Sequence, residues 1–449
     1  MPRTQVILAS TLFGAAMVAA ALDAGLLAPA DRRLLLVSNN AAVPETAPPL
    51  DAAPGFAALR DRFDRVLSWN DAIAPLHPAG WSPRPDDAPM WERYLRRLWD
   101  LGGDEVELVV ESLHTAPALA LAGVFPGAPV EVYAGGLTAY GPTQNKLEPL
   151  VTTSVSRLLH LDLVPGLRPL LLSEHGVLAE AVPSDALTGV LARVAGHEAE
   201  AAPLPLPEGG ALLLGQYLSA LDVLTAAEEE ELHVRMVRGA VAAGHRTLVL
   251  KPHPTAPAHW SRRMEEEART LGAELTVAGG PELAEALFVR TRPRLVVGCS
   301  STALFTASTL YGLPVARVGT GRLLERLSPY ENGERVPATI ADRLLPDLEH
   351  RQEVEAWRPP TAERVEGELT PLLRAVAYCM QPQAYPHLRE DAVRYLTESL
   401  EGGTWRYFRR RRLASLGLPG AVPSQLAFLP ASPAVRRVAR RIRHIASRR

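Results

Sequence analysis

Cysteine and lysine are nearly missing from this sequence. Its two cysteines, Cys299 and Cys379, are too few and too far apart for a disulfide framework or a metal site, so a reducing compartment is the simplest setting. Of 47 cationic residues only Lys146 and Lys251 are lysine. Arginine is therefore the default cation here, and each lysine is either a chance survivor or a place that wants a compact point charge. Acid is missing from one end: Thr404–Arg449 carries 12 arginines and no Asp or Glu. Removing those charges from the net −3 leaves −15 on the first 403 residues, an acidic body with a basic tail. Long apolar runs are also scarce. Residues 6–22 imitate a signal peptide, but Ser10, Thr11 and Gly14 interrupt the run, and a strand, a turn and an Ala-rich helix explain it as well. No other segment is apolar enough to span a bilayer.

What is present is alternation. Short apolar strands separated by helical stretches predict an α/β fold of parallel sheets covered by helices. Strands are expected at Gln5–Ala9, Leu34–Ser38, Val106–Val110 and Val130–Tyr133, with Leu170–Leu172 as a weaker candidate. The Pro- and Trp-rich stretch from Trp69 to Trp91 reads as a surface excursion. Residues 197–210 read as a linker from their Pro, Gly and charge. A second unit starts at Ala211–Leu214. Its capping box Thr225–Glu228 opens a helix to about Ala243, followed by strands at Thr247–Leu250, Glu274–Val277, Arg294–Gly298 and Pro314–Val318. The division is 1–196 for an N-terminal Rossmann-like domain, 211–345 for a second one, 346–403 for C-terminal helices and 404–449 for the tail.

Open α/β sheets gather ligands at the C-terminal ends of their strands. Thr247–Leu250 runs directly into Lys251-Pro252-His253-Pro254, where prolines on both sides of His253 stiffen the loop. Such a loop can turn an ammonium group and an imidazole toward one anion, whereas His77-Pro78 reads as a plain turn. The strand ending at Cys299 runs into Ser300-Ser301-Thr302 at a helix start, where hydroxyls, free N–H groups and the helix dipole suit a phosphate. An ordinary N-cap explains one of the three equally well. Glu282, following Gly279-Gly280-Pro281, either meets ribose hydroxyls or complements the helix dipole. Gly215-Gln216, after the unit's first strand, permits close approach of a ligand or makes a tight turn. Asn39-Asn40 and Asn70 fit an acceptor sugar or turns.

The Lys251-Pro-His-Pro loop, Val296-Val-Gly-Cys-Ser-Ser-Thr302 and Tyr133-Ala-Gly-Gly-Leu137, in this order and spacing, resemble the bacterial α-2,8-polysialyltransferase family over roughly residues 4–400. The resemblance implies a GT-B-like fold, two Rossmann-like domains facing a central cleft, and inverting transfer of sialic acid or a related sugar from a CMP-activated donor to a glycan acceptor. It implies no metal or other cofactor. His253 would serve the CMP leaving group as general acid or phosphate ligand, Ser300 and Ser301 would hold the phosphate, and Glu282 would contact the ribose. Lys251, Pro254, Gly215, Gln216 and Thr302 complete the expected donor site.

The chain departs from the family where an acidic pair precedes glycine and its second acid acts as general base. Here the stretch is Ala134-Gly135-Gly136, with no carboxylate at Gly135. Glu131 is expected to point into the sheet, and Glu111, ending the strand Val106–Val110, is the preferred substitute. The alternatives are a glycosyltransferase with another nucleotide sugar, and a catalytically silent nucleotide- or glycan-binding homologue. In the tail, Val435, Val438, Ile442 and Ile445 form an apolar stripe among arginines, expected as an interfacial helix on an anionic membrane or else a disordered basic end. The acidic body disfavours nucleic acid as a partner. The expected setting is cytoplasmic, with peripheral attachment to the inner membrane face.

Overall fold

The computed structural model describes residues 1–113, 116–201, 206–253, 256–280, 282–400 and 402–421. The chain builds two parallel sheets. The first has seven strands: β1 (Arg3–Ala9), β2 (Arg32–Val37), β3 (Arg65–Ser68), β4 (Glu105–Glu111), β5 (Val130–Ala134), β6 (Val155–Leu161) and β7 (Leu178–Val182), in the order β3-β2-β1-β4-β5-β6-β7. The second has five: β8 (Ala211–Leu214), β9 (Thr247–Lys251), β10 (Glu274–Val277), β11 (Leu295–Gly298) and β12 (Val315–Arg317), in the order β10-β9-β8-β11-β12. Both orders reverse direction beside the first strand of the sheet, which opens a crevice at the C-terminal strand ends. The two doubly wound lobes and the cleft between them make the α/β, GT-B-like arrangement that the resemblance implies.

Residues 6–22 are built into the centre of the first lobe. β1 lies between β2 and β4, and the helix Leu12–Asp23 is apolar on every side because it is covered on every side. Val6, Ile7, Ala16, Met17 and Val18 are all fully buried.

Several expectations need correction. Leu170–Leu172 is not a strand: Leu172 sits at φ 62°, in the left-handed region that breaks a ladder. The sequence reading missed β3, β6 and β7; β3 and β7 are edge strands, the first at best half-buried and the second largely exposed. Trp69 to Trp91 runs largely over the surface, as expected, but its indole rings anchor it. Trp69 is fully buried, with ring centroids 5.8 Å from Trp81 and 6.3 Å from Trp99, and Trp81 lies 4.6 Å from Trp91. Rings of this size gain enough from leaving water to pin an otherwise exposed loop. The stretch 197–201 belongs to the helix Ser184–Ala201 rather than to a linker, since its Ala and Glu are strong helix formers. The capping box at Thr225 is present, with the Thr225 Oγ1 accepting from Glu228 N and the Glu228 carboxylate accepting from Thr225 N.

Beyond β12 the helices Thr370–Met380 and Arg389–Ser399 return to the first lobe. Thr143 N donates to the Tyr385 hydroxyl at 3.0 Å, that hydroxyl donates to Leu170 O at 2.8 Å, and Gln381 Nε2 donates to Gln144 O at 2.8 Å. The lobes also meet where the helices Ser184–Ala201 and Ala284–Thr291 pack together. Among the described residues no helix is long and apolar enough to cross a membrane. The amphipathic stripe Val435–Ile445 lies outside the described residues, and so does Pro254.

Candidate functional site

The second lobe brings three loops to one sheet edge. β8 lies between β9 and β11, so the loop after β8 touches both motif loops. Gly215 N donates to Lys251 O at 2.9 Å. A Cβ at Gly215 would stand 3.2 Å from both Lys251 O and Pro252 Cα, so this glycine permits close approach of the Lys251-Pro252-His253 backbone. Gln216 crosses to the other loop: its N donates to His233 Nε2 at 3.2 Å, and its Oε1 accepts from Ser300 N at 3.4 Å. The hydroxyl loop and the His253 loop thus sit two strands apart, roughly 10 Å by ordinary strand spacing.

His253 is exposed at the end of β9, its ring 6.0 Å from that of Tyr217, which leans on Trp260 at 5.6 Å. Partial shielding from water, then the charge of Lys251, lowers its pKa, so the imidazole is neutral near pH 7. Beneath the loop lies Glu229, wholly buried, which accepts from Leu218 N at 2.6 Å and from Ser219 N and Oγ at 2.7 Å. This carboxylate fixes the loop that carries Tyr217. Lys251 is half-buried, and desolvation lowers its pKa against the opposing pull of Glu285, Glu198 and Glu282, in that order. The ammonium therefore sits in the field of these three carboxylates.

The hydroxyl triplet divides its work. Ser301 is the N-cap of the helix Thr302–Tyr311, its Oγ accepting from Ala303 N at 3.2 Å. Ser300 Oγ is buried with no hydrogen-bond partner of regular geometry, beside the thiol of Cys299. Thr302 reaches the other lobe instead: its Oγ1 accepts from Leu137 N at 3.4 Å. Glu282 pairs with Arg290 at 2.5 Å, and the helix begins later, at Ala284. The acid in its first turn is Glu285, which the sequence reading missed. Glu285 is buried and accepts from Thr306 Oγ1 at 2.6 Å, and burial raises its pKa.

The first lobe supplies the facing wall. An open cleft of about 410 Å³ is lined by Gly14, Glu111, Tyr133 and Gly135 from one lobe and by Glu285 and Thr302 from the other. His253 and Lys251 do not line this cavity; they stand along the same sheet edge. Glu111 ends β4, and its Oε2 accepts from Ser10 Oγ at 2.5 Å and Ser10 N at 3.2 Å. A Cβ on Gly14 would come within 3.3 Å of Glu111 Oε1 and the Tyr133 hydroxyl, so Gly14 keeps that wall open. At Gly135 the space for a side chain is taken: a Cβ would meet Phe13 Cε1 at 3.1 Å and Met17 Sδ at 3.2 Å. Glu131 is remote from the cleft chemistry, paired with Arg157 at 3.0 Å across β5 and β6.

The Asn70 amide is spent on the Asn39 backbone, its Oδ1 accepting from Asn39 N and its Nδ2 donating to Asn39 O, both at 2.9 Å, while Asn39 Nδ2 donates within its own loop to Pro44 O at 3.0 Å and Ala47 O at 3.1 Å. Asn40 Oδ1 accepts from Ser38 Oγ at 2.7 Å. His77 O accepts from Gly80 N and Trp81 N, the expected turn. Both cysteines are buried and free. Among the described residues no group of three His, Cys, Asp or Glu is placed to hold a metal ion.

The sequence matches the family model of the alpha-2,8-polysialyltransferases (POLYST) over residues 5–320. No curated protein matches it. Among solved structures it is similar to the GT-B domain of a sialyltransferase from Photobacterium damselae, with 11% identity, 75% of this chain and 95% of that one covered, and a TM-score of 0.39. It is also similar to MurG of Acinetobacter baumannii (11% identity, 81% and 98% covered, TM-score 0.37) and to the UDP-GlcNAc 2-epimerase of Methanocaldococcus jannaschii (11%, 82% and 99%, TM-score 0.43). The family match takes in β1 through the start of the helix after β12, and with it the His253 loop, the hydroxyl loop and the Gly135 stretch, so the chain belongs to the alpha-2,8-polysialyltransferase family and is a glycosyltransferase.

Proposed function

We propose that the protein transfers sialic acid, or a closely related sugar, from a CMP-activated donor to a glycan acceptor with inversion. The observation that carries this reading is the gathering of the His253 loop, Gln216 and the Ser300 loop on one edge of the second sheet, with Glu111 across the cleft. The acceptor hydroxyl oxygen bonds to the anomeric carbon while the bond from that carbon to the CMP phosphate oxygen breaks. The acceptor proton passes to Glu111, whose carboxylate Ser10 holds in place. His253 hydrogen-bonds or protonates the departing phosphate, with Ser300, the N–H groups at the start of the helix Thr302–Tyr311, and Lys251 as further phosphate contacts. Acid–base assistance of this kind contributes on the order of 10²–10⁴ in rate. Charge on the leaving group is met by side chains and a helix terminus, so turnover is expected to survive EDTA. The basic segment 404–449 is proposed to hold the enzyme at an anionic membrane surface, placing it at the inner face of the membrane.

The test is turnover of CMP-sialic acid with His253→Ala and Glu111→Gln as variants, beside thermal-shift titration with CMP, UDP and GDP. Stabilisation by CMP and collapse of turnover in both variants is the expected result. Stabilisation by UDP or GDP but not CMP would move the donor to another nucleotide sugar. Full turnover in His253→Ala would remove it from the chemistry.

A further inference from the structure

Two buried polar side chains stand behind the donor edge, and neither takes part in the proposed transfer. Glu229 and His233 lie one turn apart on the helix Ala226–Ala242 and so share a face. Glu229 is wholly buried and His233 is 3% exposed, where a carboxylate and an imidazole are costly unless hydrogen-bonded. Both turn to the loop after β8. His233 Nε2 accepts from Gln216 N at 3.2 Å. The Glu229 carboxylate accepts from Leu218 N at 2.6 Å and from Ser219 N and Oγ at 2.7 Å. A ring nitrogen accepts only when it carries no proton, so His233 is neutral with its proton on Nδ1. Burial favours that form, lowering the pKa against the opposing pull of Glu229. The Trp260 ring packs beside the imidazole, 5.5 Å between centroids.

The same short loop reaches both phosphate motifs. Gly215 N donates to Lys251 O at 2.9 Å, Gln216 Oε1 accepts from Ser300 N at 3.4 Å, and the Tyr217 ring lies 6.0 Å from that of His253. We propose that Glu229 and His233 are positioning residues of the donor site, fixing the backbone of residues 216–219 so that Gln216 holds the Ser300 loop and Tyr217 backs the His253 ring. Both are too buried to touch the nucleotide. Their contribution is preorganisation: a loop already held by the helix does not have to be ordered when the ligand arrives. The inference rests on the reading of this sheet edge as a nucleotide site.

The experiment measures the affinity of the full chain for CMP, UDP and GDP by calorimetry and carries the tightest of the three into the variants. His233→Met removes the acceptor at similar volume, whereas His233→Gln returns an oxygen to the place of Nε2. The first is expected to weaken nucleotide binding about tenfold, the size of one buried amide left without its partner, and the second by less than about threefold. Glu229→Gln, with one oxygen left for three donors, is expected to weaken it about thirtyfold. Gln216→Ala is expected to lose about tenfold, and combining it with His233→Met to add no more than about threefold, because His233 acts through Gln216. With CMP-sialic acid as donor the loss is expected in KM, with kcat within about threefold of the parent. A lower melting temperature with unchanged nucleotide affinity assigns both residues to the fold alone and overturns the proposal. So do losses that multiply in the double variant, or a glutamine at 233 that restores nothing. A parent that binds none of the three nucleotides overturns the reading of the edge as well, whereas a parent that binds and variants that bind equally well sink this inference only.

Discussion

Restoring the family's acid at position 135 is a sharp test of how this cleft is packed. Gly135 does not sit at positive φ, so Gly135→Ala gains the usual 0.4–1 kcal/mol or so from the stiffer unfolded chain. Against that, its Cβ would press on Phe13 Cε1 at 3.1 Å and Met17 Sδ at 3.2 Å, a crowding worth about 1 kcal/mol when side-chain ends can shift. The alanine variant is therefore expected within about 0.5 kcal/mol of the parent. Gly135→Asp adds a carboxylate against a ring and a thioether, and is expected to lose about 2 kcal/mol. Phe13 is only half-buried, so Phe13→Ala makes room at modest cost. In a double-mutant cycle by urea denaturation, Phe13→Ala and Gly135→Asp should couple favourably by about 1 kcal/mol or more. Additive losses would show that Phe13 does not occupy the place of the missing acid.

Three further outcomes follow from the same geometry. Glu198 is buried where the lobes meet, and desolvation raises its pKa to about 7. The folded state then holds a proton that the unfolded state has released, so this contribution is present below pH 4.5 and lost as pH rises through about 7. Glu198→Gln should gain on the order of 2 kcal/mol over the parent at pH 8 and about nothing at pH 4.5, read by urea denaturation across that range; equal gains at both ends would refute the assignment. Partial burial and the Lys251 charge hold His253 below its usual 6.5, and a phosphate beside it would raise it. CMP binding near pH 6.5 should therefore take up a fraction of a proton, measurable by calorimetry in buffers of different ionisation enthalpy and missing in His253→Asn. Tyr385→Phe leaves Thr143 N without its partner and should cost about 1–3 kcal/mol, together with faster proteolysis near 381–400.

The second lobe was almost fully legible in the sequence. Its strands are short, apolar and bracketed by turns, and all but the edge strand β10 are largely buried, so hydrophobicity alone marks their ends to within a residue. The first lobe was harder because its edge strands look like loops: β3 is RVLS, at best half-buried, and β7 is LAEAV, mostly exposed. Motif order located the site, since a strand end fixes where a loop must be. Side-chain pairing was not legible. Glu282 and Glu285 differ by one helical turn, and only the observed helix start at Ala284 shows which one faces the cleft. Glu198 and Glu229 lie in unremarkable charged helical runs, and nothing local distinguishes a buried glutamate there from its solvated neighbours. One signal was available: the Gly-rich Gly279-Gly280 turn leads into a helix, and an acid in its first turn could have been sought at 285 as well as 282.

The lobes are joined with unequal strength at front and back. At the cleft, Thr302 and Leu137 share one hydrogen bond of 3.4 Å. Behind it, the Tyr385 hydroxyl is bolted to Thr143, Leu170 and Glu174 at once. A rotation that widens the cleft has to break that bond, part Thr309 Oγ1 from Leu163 O, 3.0 Å apart, and slide the helices Ser184–Ala201 and Ala284–Thr291 over one another. The lobes are thus held like a door, with a light latch beside the phosphate-side helix, a second catch at Thr309 and a hinge on the returning C-terminal segment.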